Sequence, residues 1–134
     1  MNGVPTMGAP AGSGGAGLKG RRILVVEDNF LVGTAMCRML EQLGCVAIGP
    51  LARAAEAEAL ARGSQYDAAV MDLGLATGTS IEVARAARAR GIPVLFVTGY
   101  SSSDMVPPEL RNVPRLLKPV DQGALQAALE RILG

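Results

Sequence analysis

The chain has 134 residues, a formal net charge of +1 and 49% apolar residues. A balance this near neutral gives no electrostatic case for direct binding of nucleic acid or an acidic membrane surface. No apolar run reaches membrane-spanning length and the N-terminus lacks the apolar stretch of a signal peptide, so a cytoplasmic protein of one domain is expected.

Histidine is absent, which removes imidazole catalysis, histidine metal ligation and histidyl phosphotransfer from this chain's own repertoire. Cys37 and Cys45 lack metal-type spacing and read as buried free thiols. Of the 13 basic residues only Lys19 and Lys118 are lysines. Lys118 is thus the one place where the expected folded part uses a compact ammonium, which reaches a phosphate as a point charge.

Residues 1–20 hold seven glycines and two prolines and are read as a flexible tail, leaving 21–134 as the folded domain. Arg21-Arg22 then lead into the apolar run Ile23–Val26, which ends on Glu27-Asp28. Such a run reads as a strand buried on both faces. Asp28 or Asn29 caps a helix with Leu31, Ala35, Met36, Met39, Leu40 and Leu43 on one stripe, and Gly44 ends it. Cys45–Ile48 is a short strand closed by Gly49-Pro50, and Ala52–Arg62 a surface helix.

Ala68–Met71 is a further buried strand, and it runs straight into Asp72. A loop follows through Gly74 to Thr79, and Ser80 is positioned to cap a helix ending near Arg90. Ile92–Thr98 is the next buried strand, with proline tolerated at its entry. Residues 101–114 carry three serines and three prolines, so the helix expected there is short or replaced by a loop. Arg115–Leu117 is a last strand ending at Lys118-Pro119, and Asp121 caps a final helix with Leu125, Ala128, Leu129 and Ile132 inward.

Strand-helix alternation repeated five times predicts an α/β fold, a doubly wound five-stranded parallel sheet of flavodoxin-like order 2-1-3-4-5. Glu27-Asp28, Asp72, Thr98 and Lys118 then share the C-terminal edge of the sheet, where ligands bind in such folds. Each residue alone has an ordinary reading: acids cap helices, threonine suits strands and lysines sit in solvent. Converging carboxylates repel, and a hard divalent cation such as Mg²⁺ relieves that conflict with oxygen ligands. Asp28 and Asp72 would be direct ligands, the Gly74 carbonyl a third, and Glu27 would act through water. Asp72 would be the nucleophile that accepts a phosphoryl group, with Lys118 and the Thr98 hydroxyl holding its oxygens.

In these positions the chain resembles response-regulator receiver domains: Glu27-Asp28 matches the acidic pair, Asp72 the phosphoacceptor, Thr98 the hydroxyl and Lys118-Pro119 the Lys-Pro motif. The resemblance spans about residues 21–133. It implies two-component phosphorelay signalling: Mg²⁺-dependent phosphorylation by a histidine kinase or phosphotransfer protein, a two-state switch and a downstream protein target. Phe96-Val97-Thr98-Gly99-Tyr100 also resembles the signature of the single-domain FAT GUY subgroup, with valine where that name has alanine. One departure is Arg115, which stands where many receivers place an aromatic switch residue, leaving Tyr100 as the switch candidate. Another is Gly74, which has no side chain to orient a water for intrinsic dephosphorylation.

The resulting expectation is a stand-alone phosphoacceptor module rather than an enzyme, monomeric or weakly dimeric. The alternatives are a phosphate sink or a binding module that works without phosphorylation. A metal-dependent phosphatase commonly has a second acid two residues past its nucleophile, where this chain has Gly74. A flavodoxin-like cofactor binder needs a phosphate cradle where Glu27-Asp28 would repel one, and a P-loop is absent.

Overall fold

The computed structural model describes residues 15–75, 78–99 and 106–134. Five parallel strands form one sheet in the order β2-β1-β3-β6-β7: β1 Arg22–Val26, β2 Val46–Leu51, β3 Ala68–Met71, β6 Val94–Thr98 and β7 Arg115–Leu117. The intervening β4 (Gly74–Leu75) and β5 (Gly78–Thr79) make a separate antiparallel pair. This is the doubly wound, flavodoxin-like sheet that the alternating pattern predicts.

The central strands have a side-chain period of two, so each divides its residues between two cores. Leu24, Val26, Ala69, Met71, Val94 and Phe96 face α3 (Ala54–Gly63) and α4 (Ile81–Ala89). Ile23, Val25, Ala68, Val70, Leu95 and Val97 face α2 (Phe30–Gln42) and α5 (Gln122–Leu133). The helices of the first face contribute mainly alanine, namely Ala57, Ala61, Ala84, Ala86 and Ala87, whereas the second is filled by Met36, Cys37, Leu40, Leu125 and Leu129. Both cysteines are free and buried, and burial pushes both thiols up from their ordinary value.

Several local readings change in three dimensions. Gly15–Leu18 forms a helical turn, α1, and Leu18 is completely buried beside α5 in the second core. The packed part therefore starts before residue 21, because one leucine among glycines finds a hole to fill and Gly20 N–H donates to the Gly44 carbonyl at 2.8 Å. β2 does not stop at Gly49-Pro50 but continues to Leu51 through an irregularity in its pairing with β1. Gly49 makes this feasible: its φ is +128°, and a Cβ there would lie 2.6 Å from the Val25 carbonyl oxygen. α3 is not wholly a surface helix, since Ala57 and Ala61 are fully buried. On α2 the buried stripe is Gly33, Met36, Cys37 and Leu40, which leaves Leu31 77% exposed and Ala35 exposed.

Of the connection between β6 and β7, residues 100–105 lie outside the described residues, and the described remainder contains the 3₁₀ turn Pro108–Leu110. Val106, Leu110 and Val113 anchor this connection in the first core, and Arg85 of α4 pairs with both Glu82 and Glu109 on its surface. No helix among the described residues is long and apolar enough to cross a membrane.

Candidate functional site

The ends of β1, β3, β6 and β7 are brought level by the sheet ladder. Asp72 N–H donates to the Val26 carbonyl and Lys118 N–H to the Thr98 carbonyl, both at 2.9 Å. The buried strand residues leading up to Glu27, Asp72 and Thr98 are apolar, so the first polar side chains beyond them collect at one edge.

Glu27 is 6% exposed, a costly position for a carboxylate unless its oxygens are engaged. One accepts from the Lys118 ammonium at 2.7 Å and the other from the Asn29 backbone N–H at 3.1 Å. Close helix packing seats it: a Cβ on Gly33 would meet Pro50 at 2.6 Å and the Glu27 Cγ at 3.4 Å. Asn29, not Asp28, caps α2, its side-chain oxygen accepting from Val32 N–H at 3.1 Å.

Asp72 accepts from the same ammonium at 2.9 Å on Oδ2, and from Gly74 N–H at 3.3 Å on Oδ1. Lys118 thus bridges the two carboxylates. Partial burial works against its charge, but the hydrogen bonds to Glu27 and Asp72 outweigh this and hold its pKa above the ordinary lysine value. Oxygens of Glu27, Asp28 and Asp72 lie within 4.8 Å of one another, an all-oxygen set of the kind that suits Mg²⁺. Three carboxylates converge here, two of them bridged by Lys118, and a dication would neutralise their charge.

Thr98 is 1% exposed, and its hydroxyl oxygen is buried without a hydrogen-bond partner among the described residues. Buried hydroxyls are rarely left this way, because the lost hydration is not recovered. Ser80 is fully buried but does not cap α4 with its side chain: its hydroxyl donates to the Asp72 carbonyl at 2.6 Å, while Thr79 Oγ1 accepts from Ile81 N–H at 3.3 Å. Arg115 lies half-buried on the edge strand. Tyr100 lies outside the described residues.

Beside the site runs an apolar groove of about 450 Å³ between α2 and the segment after β7, lined in part by Leu31, Ala35, Met39, Val97, Pro119 and Val120. Lys118 also lines it, so the groove opens next to the carboxylate cluster. Phe30, 73% exposed, stands beside Leu31 at the start of α2. The pattern that hid this groove is the helical stripe itself, which places Leu31 and Ala35 one step away from the buried face.

A family model for the response regulator receiver domain matches residues 23–130, and the chain belongs to this family. SdrG from Sphingomonas melonis Fr1, known from a solution structure, is 35% identical with a TM-score of 0.75, covering 86% of this chain and 98% of that one. The receiver domain of the sensor histidine kinase PA1611 from Pseudomonas aeruginosa PAO1 is 29% identical with a TM-score of 0.70 and the same coverage, 86% and 98%. Its crystal structure has a magnesium ion coordinated in the active-site cleft. A response regulator receiver protein from Sinorhizobium medicae WSM419, 21% identical with a TM-score of 0.76 over 87% of this chain and 96% of that one, shares the fold. No curated protein matches the chain. Receiver domains are signalling modules of two-component systems, and the Glu27, Asp28 and Asp72 cluster fits the active site of such a domain.

Proposed function

We propose that Asp72 accepts a phosphoryl group from a phosphohistidine on a partner kinase or phosphotransfer protein, in a Mg²⁺-dependent reaction, and that the product signals through altered protein binding. In the transfer an Asp72 carboxylate oxygen forms a bond to phosphorus as the bond from phosphorus to the histidine nitrogen breaks. Lys118, now in contact with Asp72, would hold a phosphoryl oxygen once it gives up part of that contact. The observation that carries the reading is the Thr98 hydroxyl, buried without a hydrogen-bond partner among the described residues, on the strand paired with the one that runs into Asp72. A buried donor without an acceptor is costly at rest and is rewarded when an oxyanion arrives.

Asp28, Asp72 and the Gly74 carbonyl would hold Mg²⁺, with Glu27 acting through water. When bound, the ion supplies charge neutralisation and an anchor for a phosphoryl oxygen. Glu27 has both oxygens engaged by Lys118 and Asn29, which favours an indirect role. The exposed Phe30 and Leu31 and the groove beside them supply an apolar face on which a partner would dock near Asp72. Tyr100 is the aromatic proposed to change its packing when Thr98 closes on the phosphoryl group.

The test is labelling with a small-molecule phosphodonor, read by intact mass, for wild type and Asp72→Ala with and without Mg²⁺. One added phosphoryl group in wild type alone, dependent on Mg²⁺, is expected. Labelling of Asp72→Ala to the same extent would refute the assignment.

A further inference from the structure

The geometry points to Ser80 as a positioning residue that fixes the two peptide planes leading from the phosphoacceptor to Gly74, so that the Asp72 carboxylate is aligned for a cation before one binds. This rests on the reading of Asp72 as the phosphoacceptor in a Mg²⁺ site. Ser80 is eight residues downstream and completely buried, yet its hydroxyl and backbone N–H are spent on the chain leaving β3. Its hydroxyl donates to the Asp72 carbonyl at 2.6 Å, with the Leu73 carbonyl 3.5 Å away. Its backbone N–H donates to the Leu73 carbonyl at 3.0 Å.

These bonds engage two consecutive carbonyls on one anchor. The peptide planes after Asp72 and after Leu73 cannot rotate freely while Ser80 holds them. The second of those planes carries the Gly74 N–H that donates to Asp72 Oδ1 at 3.3 Å, so Ser80 acts on the carboxylate through the backbone. Gly74 itself has no side chain, and a Cβ there would meet nothing within 4 Å, so side-chain packing does not hold it. The restraint on this short stretch must therefore come from the backbone, from the β4–β5 pairing and from Ser80. Ser80 also starts α4, since its carbonyl accepts from Ala84 N–H at 2.9 Å. The same residue thus links the site to a helix seated in the first core.

The hydroxyl contributes to cation affinity only through preorganisation. Without it the Asp72–Leu73 unit samples other orientations, and binding must restore the productive one. The loss expected on Ser80→Ala is the net value of one buried neutral hydrogen bond, about five- to tenfold in Mg²⁺ dissociation constant.

The experiment is Mg²⁺ titration by calorimetry of the full chain as wild type, Ser80→Ala and Ser80→Thr, with thermal unfolding in metal-free buffer alongside and phosphodonor labelling at saturating Mg²⁺. Weaker Mg²⁺ binding by Ser80→Ala, recovery in Ser80→Thr and near-normal labelling at saturation are expected. A residue with only a structural role would lower the unfolding temperature and leave the dissociation constant alone, and that result would overturn the inference. A folded Ser80→Thr as weak as Ser80→Ala would overturn it as well. If alanine prevents folding, Ser80→Cys replaces it: its weak S–H donor should bind Mg²⁺ less well than serine, and equal binding would refute the role. A wild type that neither binds Mg²⁺ nor becomes labelled would bring down the phosphoacceptor reading itself, and Ser80's role with it.

Discussion

Replacing Lys118 by methionine tests the charge balance of the carboxylate cluster. In the resting protein its ammonium bridges Glu27 at 2.7 Å and Asp72 at 2.9 Å, with 27% of the lysine side chain exposed against 7% and 13% for the acids. Charge-assisted hydrogen bonds contribute about 1.5–3 kcal/mol each, but desolvation and the partial exposure of the lysine offset much of that. Removing the cation also leaves two buried like charges facing each other. A net loss of about 2–4 kcal/mol follows, which for a domain of this size lowers the melting temperature by roughly 5–15 °C. The deficit should narrow in the presence of the divalent ion: without the competing ammonium, Mg²⁺ should stabilise Lys118→Met by more than it stabilises wild type.

Thermal unfolding of both proteins, in chelator and in millimolar Mg²⁺, reads both effects. A metal-free variant melting with wild type, or a smaller Mg²⁺ gain in the variant, would refute this account of the charge balance. The pH dependence has a definite direction. Because folding raises the lysine pKa, its contribution is fully present below the unfolded value of about 10.4 and is lost as pH rises through the higher folded value. Wild type should therefore show an alkaline stability loss above about pH 10 that Lys118→Met lacks.

Thr98→Val keeps the shape of the side chain and deletes a hydroxyl that has no partner among the described residues, so the resting protein should be as stable as wild type or gain about 1 kcal/mol, while phosphodonor labelling slows. Denaturant unfolding beside a labelling time course checks both, and a destabilised variant would show that the hydroxyl is already paired. Leu18→Ala should cost about 2–5 kcal/mol in urea unfolding, a core-type penalty from a residue next to a glycine-rich tail. A change of only a few tenths would mean that α1 does not contribute to the fold. Tyr100→Ala should diminish the phosphorylation-induced amide chemical-shift changes relative to wild type, and identical changes would remove Tyr100 as the switch.

The strand ends were legible because each lies at an abrupt boundary, apolar below and charged above: Val26 to Glu27, Met71 to Asp72, Leu117 to Lys118. Alternating strands and capped helices then leave few topologies, which is why the sheet order follows from the pattern. The missed features depend on tertiary neighbours. Leu18 has no periodic companions, and its burial comes from a hole beside α5. Glycine and proline at positions 49 and 50 normally end a strand, and only the nearness of Val25's carbonyl shows why β2 runs through them. The β4–β5 pair is too short to leave an alternation signal. Ser80 carries a capping residue's identity, but the Asp72 carbonyl competes for its hydroxyl and wins.

The unequal filling of the two faces of the sheet has a consequence for how this chain tolerates change. Where α3 and α4 meet the sheet, Ala57, Ala61, Ala84 and Ala87 are all fully buried, so backbone lies close to backbone with little to compress. Any added methyl group there must push a helix outward, and overpacking of that kind is destabilising. The opposite face contains Met36, Cys37 and partly buried Met39, whose unbranched or small side chains can re-form around a neighbour of different volume. A saturation library should therefore divide by side of the sheet: enlargements depleted among the buried alanines of α3 and α4, and conservative exchanges retained along the inner stripe of α2.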